Sequence, residues 1–297
     1  MIGLTVLSDN ATRWNSTYNS IHRALKLRRR ITDFCKLNQN ELAKDTLSET
    51  EWEYLKEMEI ILKPFQQVTK ALEGNSEGAH HGSIWETLPA IEILLRHMEK
   101  KKEQHRSHPY LATCTNLAWA KLEKYYKIMD NTPIYGAALF LHPNHRFKYF
   151  KQKWTTKALK AYQKSMLDAI RLLYNEQYAK TSFDSAIDAS SEEEIEMDIV
   201  RSYLHAGMKE KDEFEAYLQG APTQLADDAN LYQWWATAGS PRLAQMAYDL
   251  LSIPAMSAET ERVFSGAKLT ISPNRNRLTE DIIEATECLK RWYKAGY

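Results

Sequence analysis

A chain of 297 residues with 43% hydrophobic and 26% charged side chains can bury a sizeable core, in one large domain or two. Its 39 basic and 39 acidic residues cancel, so no global basic field marks a nucleic-acid binder. Cys35, Cys114 and Cys288 are far apart, make neither a zinc knuckle nor a disulfide framework, and fit a reducing compartment. No apolar run approaches the roughly 18 residues of a membrane span. The opening Met1–Leu7 stretch is too short and uncharged for a signal peptide. Few Gly and Pro residues against many Leu, Lys, Glu and Ala favour helix.

Residues 12–18 lead into a helix to about Cys35, with Tyr18, Ile21, Leu25, Ala24, Leu27, Ile31 and Phe34 as a broad apolar face. Lys26 and Arg28–Arg30 on it are either a solvated face or phosphate contacts. Leu37 to Ser48 is a polar connection. Thr50 to Leu72 reads as a long helix that Pro64 should kink or divide. Gly74 to Gly82 is a loop; His80 and His81 lack partners at ligand spacing and read as loop histidines. Helices follow over Leu88–Arg106 and Tyr110–Met129. The apolar run from Pro133 to Pro143 fits a strand or a buried helix by pattern, and its two alanines and helical neighbourhood favour helix. Trp154 to Tyr174 reads as one further helix.

A charge step comes next. Tyr110–Lys180 holds 12 Lys/Arg against 4 Asp/Glu, whereas Thr181–Asp228 holds 3 against 13. The span 181–211 therefore reads as an acidic, flexible linker between a helical domain over 1–180 and a second unit over 212–297. In that second unit Glu213–Leu218 is amphipathic, and Asp227–Ala238 carries Leu231, Trp234 and Trp235. Pro241 opens a helix whose Leu243, Met246, Ala247, Leu250 and Leu251 keep helical spacing. Pro254 stops it, and Ser257 caps the next, which carries Glu261, Arg262, Val263 and Phe264. Asn274–Arg277 is a turn. Thr279 starts a last helix with Ile282, Ala285, Leu289, Trp292 and Tyr293 as its buried stripe. The pattern is all-α, or nearly so.

Two motifs carry a resemblance. Leu251-Ser-Ile-Pro-Ala-Met-Ser-Ala-Glu-Thr-Glu-Arg-Val-Phe-Ser265, followed by Arg275-Asn-Arg-Leu278, resembles the C-terminal region of hAT superfamily transposases, which include hobo, Activator and Hermes. Thr12-Arg-Trp-Asn-Ser-Thr-Tyr18 resembles the middle of the same proteins. The resemblance implies a ribonuclease-H-like core interrupted by a large helical insertion. It assigns this chain the insertion and the C-terminal helices of the core, without the catalytic strands. The region over 212–297 then corresponds to the hAT dimerisation region.

In that family an Asp, Asp and Glu bracket two metal ions for phosphoryl transfer. Glu261 stands at the position of the Glu; by itself it reads as a first-turn carboxylate favoured by the helix dipole. The two aspartates belong before the Thr-Arg-Trp segment, and Asp9 has no strand context there. The 297 residues are therefore expected not to cut or join DNA alone, and Mg²⁺ or Mn²⁺ would serve only a completed set. What survives is expected to be association, with itself or a related transposase chain, through Trp234, Trp235, Leu250, Phe264, Leu289 and Trp292. These are equally residues that pack a small core.

The alternative is a DNA-binding remnant that acts with a chain supplying the aspartates. In it Trp14 stacks on an unpaired base beside Arg13, and Arg262, Arg275 and Arg277 meet phosphates. Trp14 fits packing at a helix start equally well. The resemblance places the protein in the nucleus, with no membrane and no small-molecule substrate.

Overall fold

The computed structural model describes residues 5–7, 14–73, 82–179, 212–226, 229–270 and 278–295. The fold is all-α. Among the described residues no strand occurs, and Ser83 and Pro254 form an isolated antiparallel bridge.

The first helices are α1 (Trp14–Lys26), α2 (Arg28–Leu37), the short α3 (Gln39–Leu42) and, after a 3₁₀ turn, α4 (Glu49–Glu73). The expected single helix to Cys35 is broken at Leu27 (φ −98°, ψ 4°), a turn that places this residue in the core. Tyr18 and Ile21 of α1 are buried in the packing against α4, and His22 pairs with Glu59 across the two helices. Ser48 and Glu51 cap α4 reciprocally: the Glu51 carboxylate accepts the Ser48 N–H at 2.7 Å, and Ser48 Oγ accepts the Glu51 N–H at 3.3 Å. Pro64 lies inside α4 and does not divide it.

Two long helices follow, α5 (Ile84–Gln104) and α6 (Leu111–Met129). With α4 they enclose a small core of Ile61, Met98 and Leu111. Beside it Glu57 accepts from Lys101 at 2.8 Å and His105 at 2.9 Å. Burial opposes the Glu57 charge, yet these two donors outweigh it and hold the carboxyl below its ordinary range. The start of α5 lies four residues earlier than the pattern suggests, because Ser83 and Glu86 form a capping box there.

The main core is built on α7 (Ile134–Leu141), where Gly136 to Leu141 are all buried. A helix apolar on every side must be wrapped on every side. α5 packs on it, as does α9 (Lys157–Gln177), which follows the short α8 (Lys148–Lys153). The span from Trp154 thus begins with a cap rather than a helix: Thr156 Oγ1 accepts the Leu159 N–H. Gly136 lets α9 close in, since a Cβ there would stand 2.4 Å from Met166 Sδ. Glu92 of α5 ties this layer together, accepting from Tyr149 at 2.7 Å and Trp154 Nε1 at 2.6 Å.

The remaining sides of α7 are covered from beyond the acidic segment, by α10 (Glu213–Gln219), α11 (Leu231–Thr237) and α12 (Pro241–Leu251). One core therefore contains residues from both sides of 181–211. The last helices, α13 (Ala258–Thr270) and α14 (Glu280–Ala295), pack on each other. Of the span 212–297, the first three helices serve the α7 core.

His142 ends α7 in the buried layer, ring to ring with Trp85 at 4.2 Å and His145 at 4.7 Å. Burial, and secondarily the His145 charge, pushes it down to about 3. Its Nδ1 accepts the Asn144 N–H at 3.3 Å, as a neutral ring can. An unfolded chain takes up this proton near pH 6.5, whereas the folded chain refuses it until about pH 3. Stability should therefore fall as pH drops through that window. Thermal melts across it should show a Tm decline that is shallower in His142→Gln; an equal decline would contradict this account.

Candidate association surface

The C-terminal helices differ in where their apolar stripes point. Pro241 occupies the first turn of α12, where its missing N–H is not needed. Leu243, Ala244, Met246, Ala247, Leu250 and Leu251 all face inward and are buried. The chain then leaves the helix along a fixed path. Ser83 Oγ donates to the Leu251 carbonyl at 3.0 Å, Ile84 N–H to Ile253 at 2.9 Å, and Ala255 N–H to Gly82 at 2.8 Å. Gly82 is required at this crossing, because a Cβ would lie 2.2 Å from the Leu72 carbonyl oxygen. α13 therefore starts from a tethered strap.

Ser257 immediately precedes α13, and its carbonyl accepts the Glu261 N–H at 2.9 Å. The Glu261 side chain is exposed and accepts from Ser257 Oγ at 3.1 Å. Among the described residues no three His, Cys, Asp or Glu side chains converge to hold a metal. Arg262 lies on α13 and Trp14 opens α1, their side chains outside the described set. Arg13, Arg275 and Arg277 lie outside the described residues.

α13 and α14 approach at Gly266, where a Cβ would stand 3.4 Å from Glu287 Oε2, and Ala267 is buried. Away from this contact, Phe264 of α13 and a stripe on α14 are open. Ile282, Ala285, Leu289, Trp292 and Tyr293, expected as a buried stripe, are all exposed. Leu289 is 61%, Trp292 57% and Tyr293 85% accessible, and Phe264 of α13 is 69% accessible. The spacing i, i+3, i+7, i+10, i+11 keeps the stripe on one face. Its cover does not come from α13 because Thr286 and Glu287, half-buried, lie on the inner side.

Two of the expected association residues are used inside the chain. Trp235 is 1% accessible and its Nε1–H donates to the Leu141 carbonyl at 3.2 Å. Leu250 is buried in the same core. Trp234 is half-buried against that core, edge-on to Trp235. A large amphipathic side chain suits an interface or a wet core edge equally, and α7 claims these first. Leu289, Trp292 and Phe264 remain available.

Comparison with known proteins bears on the same helices. Residues 213–293 match the model of the hAT family C-terminal dimerisation region. The chain carries a hAT dimerisation region. Residues 4–61 match the ZBED1 RNase-like helical domain. A putative AC transposase of Zea mays is 25% identical over 97% of the chain. A putative transcriptional regulator, tpeD, of Talaromyces stipitatus is 27% identical over 89% of it. The zinc finger BED domain-containing protein DAYSLEEPER of Arabidopsis thaliana is 22% identical over 96% of it. The chain spans 37%, 29% and 40% of these three proteins, respectively. Over most of its own length the chain is thus similar to a minor part of each of these proteins.

The two tryptophan environments predict opposite outcomes in denaturant unfolding. Trp235→Ala should lose about 3–5 kcal/mol, since it opens a cavity and strips a carbonyl of a donor. Trp292→Ala should shift unfolding by no more than about 0.5 kcal/mol at a concentration where the chain is monomeric. Equal losses would mean that the α14 stripe is part of the chain's own core.

Proposed function

We propose that this hAT-type chain is transposase-derived and that its C-terminal region pairs two copies of the chain, or the chain with a related transposase. The exposed stripe of α14 is the contact, together with the exposed Phe264 of α13. The observation that supports this is the complete but uncovered apolar face: Ile282, Leu289, Trp292 and Tyr293 are all exposed, within the region that matches a dimerisation model. Trp and Tyr anchors are the side chains that most often dominate association energy. In a two-fold pair each stripe residue acts twice.

Sedimentation or light scattering over a dilution series should show a monomer–dimer equilibrium. Trp292→Ala should weaken it by about 30-fold, the equivalent of about 2 kcal/mol. A strict monomer at micromolar concentration counts against the proposal.

We also infer that these 297 residues do not join DNA by themselves. Glu261 is the one member of the family's catalytic set that the resemblance assigns to them, and one carboxylate does not bracket two metal ions. A strand-transfer assay of the chain with Mg²⁺ or Mn²⁺ should be blank. Activity that disappears in Glu261→Gln would overturn this. Among the described residues no helix is long and apolar enough to cross a membrane. The relation to transposases supports a nuclear place of work, which imaging of a fluorescent fusion checks.

A further inference from the structure

Between Asp130 and Asp168 the chain contains no acidic residue, yet it carries Arg146, Lys148, Lys151, Lys153, Lys157, Lys160 and Lys164. In a chain with zero net charge this is a local field of one sign. The fold keeps it at the surface: all six lysines are exposed, and none has a carboxylate within ion-pair distance among the described residues. Lys157, Lys160 and Lys164 follow i, i+3, i+7 on one exposed face of α9. At 1.5 Å per residue they form a row about 10 Å long.

The row begins, in sequence, at a built feature. Arg146 sits at φ 47°, a conformation rare for a non-glycine residue. Its Nη1–H donates to the Tyr217 carbonyl at 3.1 Å, and the guanidinium stacks 4.2 Å from the Tyr217 ring centroid. Gly220 makes room for it: a Cβ there would fall 2.1 Å from Nη1. Arg146 Nε is buried with no hydrogen-bond partner among the described residues. Arg146, Lys148 and Lys151 line a cleft of about 360 Å³ with Gly220 and Glu215. The Glu215 charge is taken by Arg171, which pairs with it. Backbone strain, a cleared glycine and the stacking on Tyr217 together fix a cation at an open cleft.

We propose that the Arg146 cleft and the α9 lysine row form one binding surface for the phosphate backbone of a nucleic acid. A single small anion needs one fork and not a further row of point charges. A repeating polyanion needs both, the guanidinium to fix one phosphate and the lysines to follow the rest. The surface is separate from the α14 stripe and does not depend on self-association.

The test is fluorescence anisotropy of the full chain with a short labelled DNA duplex of arbitrary sequence, titrated at several salt concentrations. Lys157→Gln/Lys160→Gln/Lys164→Gln should lower affinity by about tenfold or more at low salt and flatten the log K against log salt slope by about 2.7. Lys148→Gln/Lys151→Gln should flatten it by about 1.8. The exposed set Lys56→Gln/Lys63→Gln/Lys70→Gln on α4 removes as many charges and should leave both unchanged. No binding by the parent chain, a loss confined to one of the two sets, or an equal loss in the α4 set would overturn the proposal. So would poly-glutamate that displaces the duplex at equal charge concentration, because the surface would then fit an acidic protein segment as well. Circular dichroism melts of each variant show that the fold is retained.

Discussion

The carbonyl of Leu141 is the point on which the architecture turns. It ends α7, a helix without a polar face, so it stands where no water can satisfy it. An unpaired carbonyl there would cost about 1–3 kcal/mol. Two side chains meet it, Tyr217 Oη at 3.1 Å and Trp235 Nε1 at 3.2 Å. Burial pushes the Tyr217 hydroxyl up, which keeps it a donor. Both come from beyond the acidic segment, 76 and 94 residues away in sequence. The demand of one helix end therefore holds the two halves of the chain in one core. Tyr217 serves that end twice, since its ring and carbonyl also seat Arg146.

The same constraint separates α12 from α14. Both carry apolar residues at helical spacing on one face. α12 lies against α7 and loses its whole stripe to the core. α13 follows a strap fixed by Gly82, Ser83 and Ile84, and α14 packs on α13 through its inner side. Its stripe is left over. A helix face with Leu, Trp and Tyr in water is a demand for cover, and the match to a dimerisation region supports the proposal that a second chain supplies it.

Much of this was legible from residue spacing. The run from Pro133 to Pro143 is a helix, as its alanines suggested, and the Leu243–Leu251 stripe is buried residue for residue. The α14 stripe was legible as a stripe, but periodicity states that a face must be covered and not by what. Trp235 illustrates a different case: its size and polar edge fitted a core or a partner chain, the resemblance favoured the partner, and its indole N–H meets Leu141 of the same chain. The charge step at 181–211 is a real change in composition, yet apolar packing crosses it because Phe214, Tyr217 and Trp235 have their destinations on the other side. Arg146 was not legible at all, since arginine carries no turn signal and its backbone is set by contacts with Tyr217 and Gly220.

The central claim is that α14 is covered by a second copy while α12 is covered by the chain itself. Hydrogen–deuterium exchange at two protein concentrations, one well above and one well below the association midpoint, tests it directly. The account predicts that amides of 280–293 slow at the higher concentration while those of 243–251 exchange at one slow rate throughout. Exchange in 280–293 that is independent of concentration would contradict it.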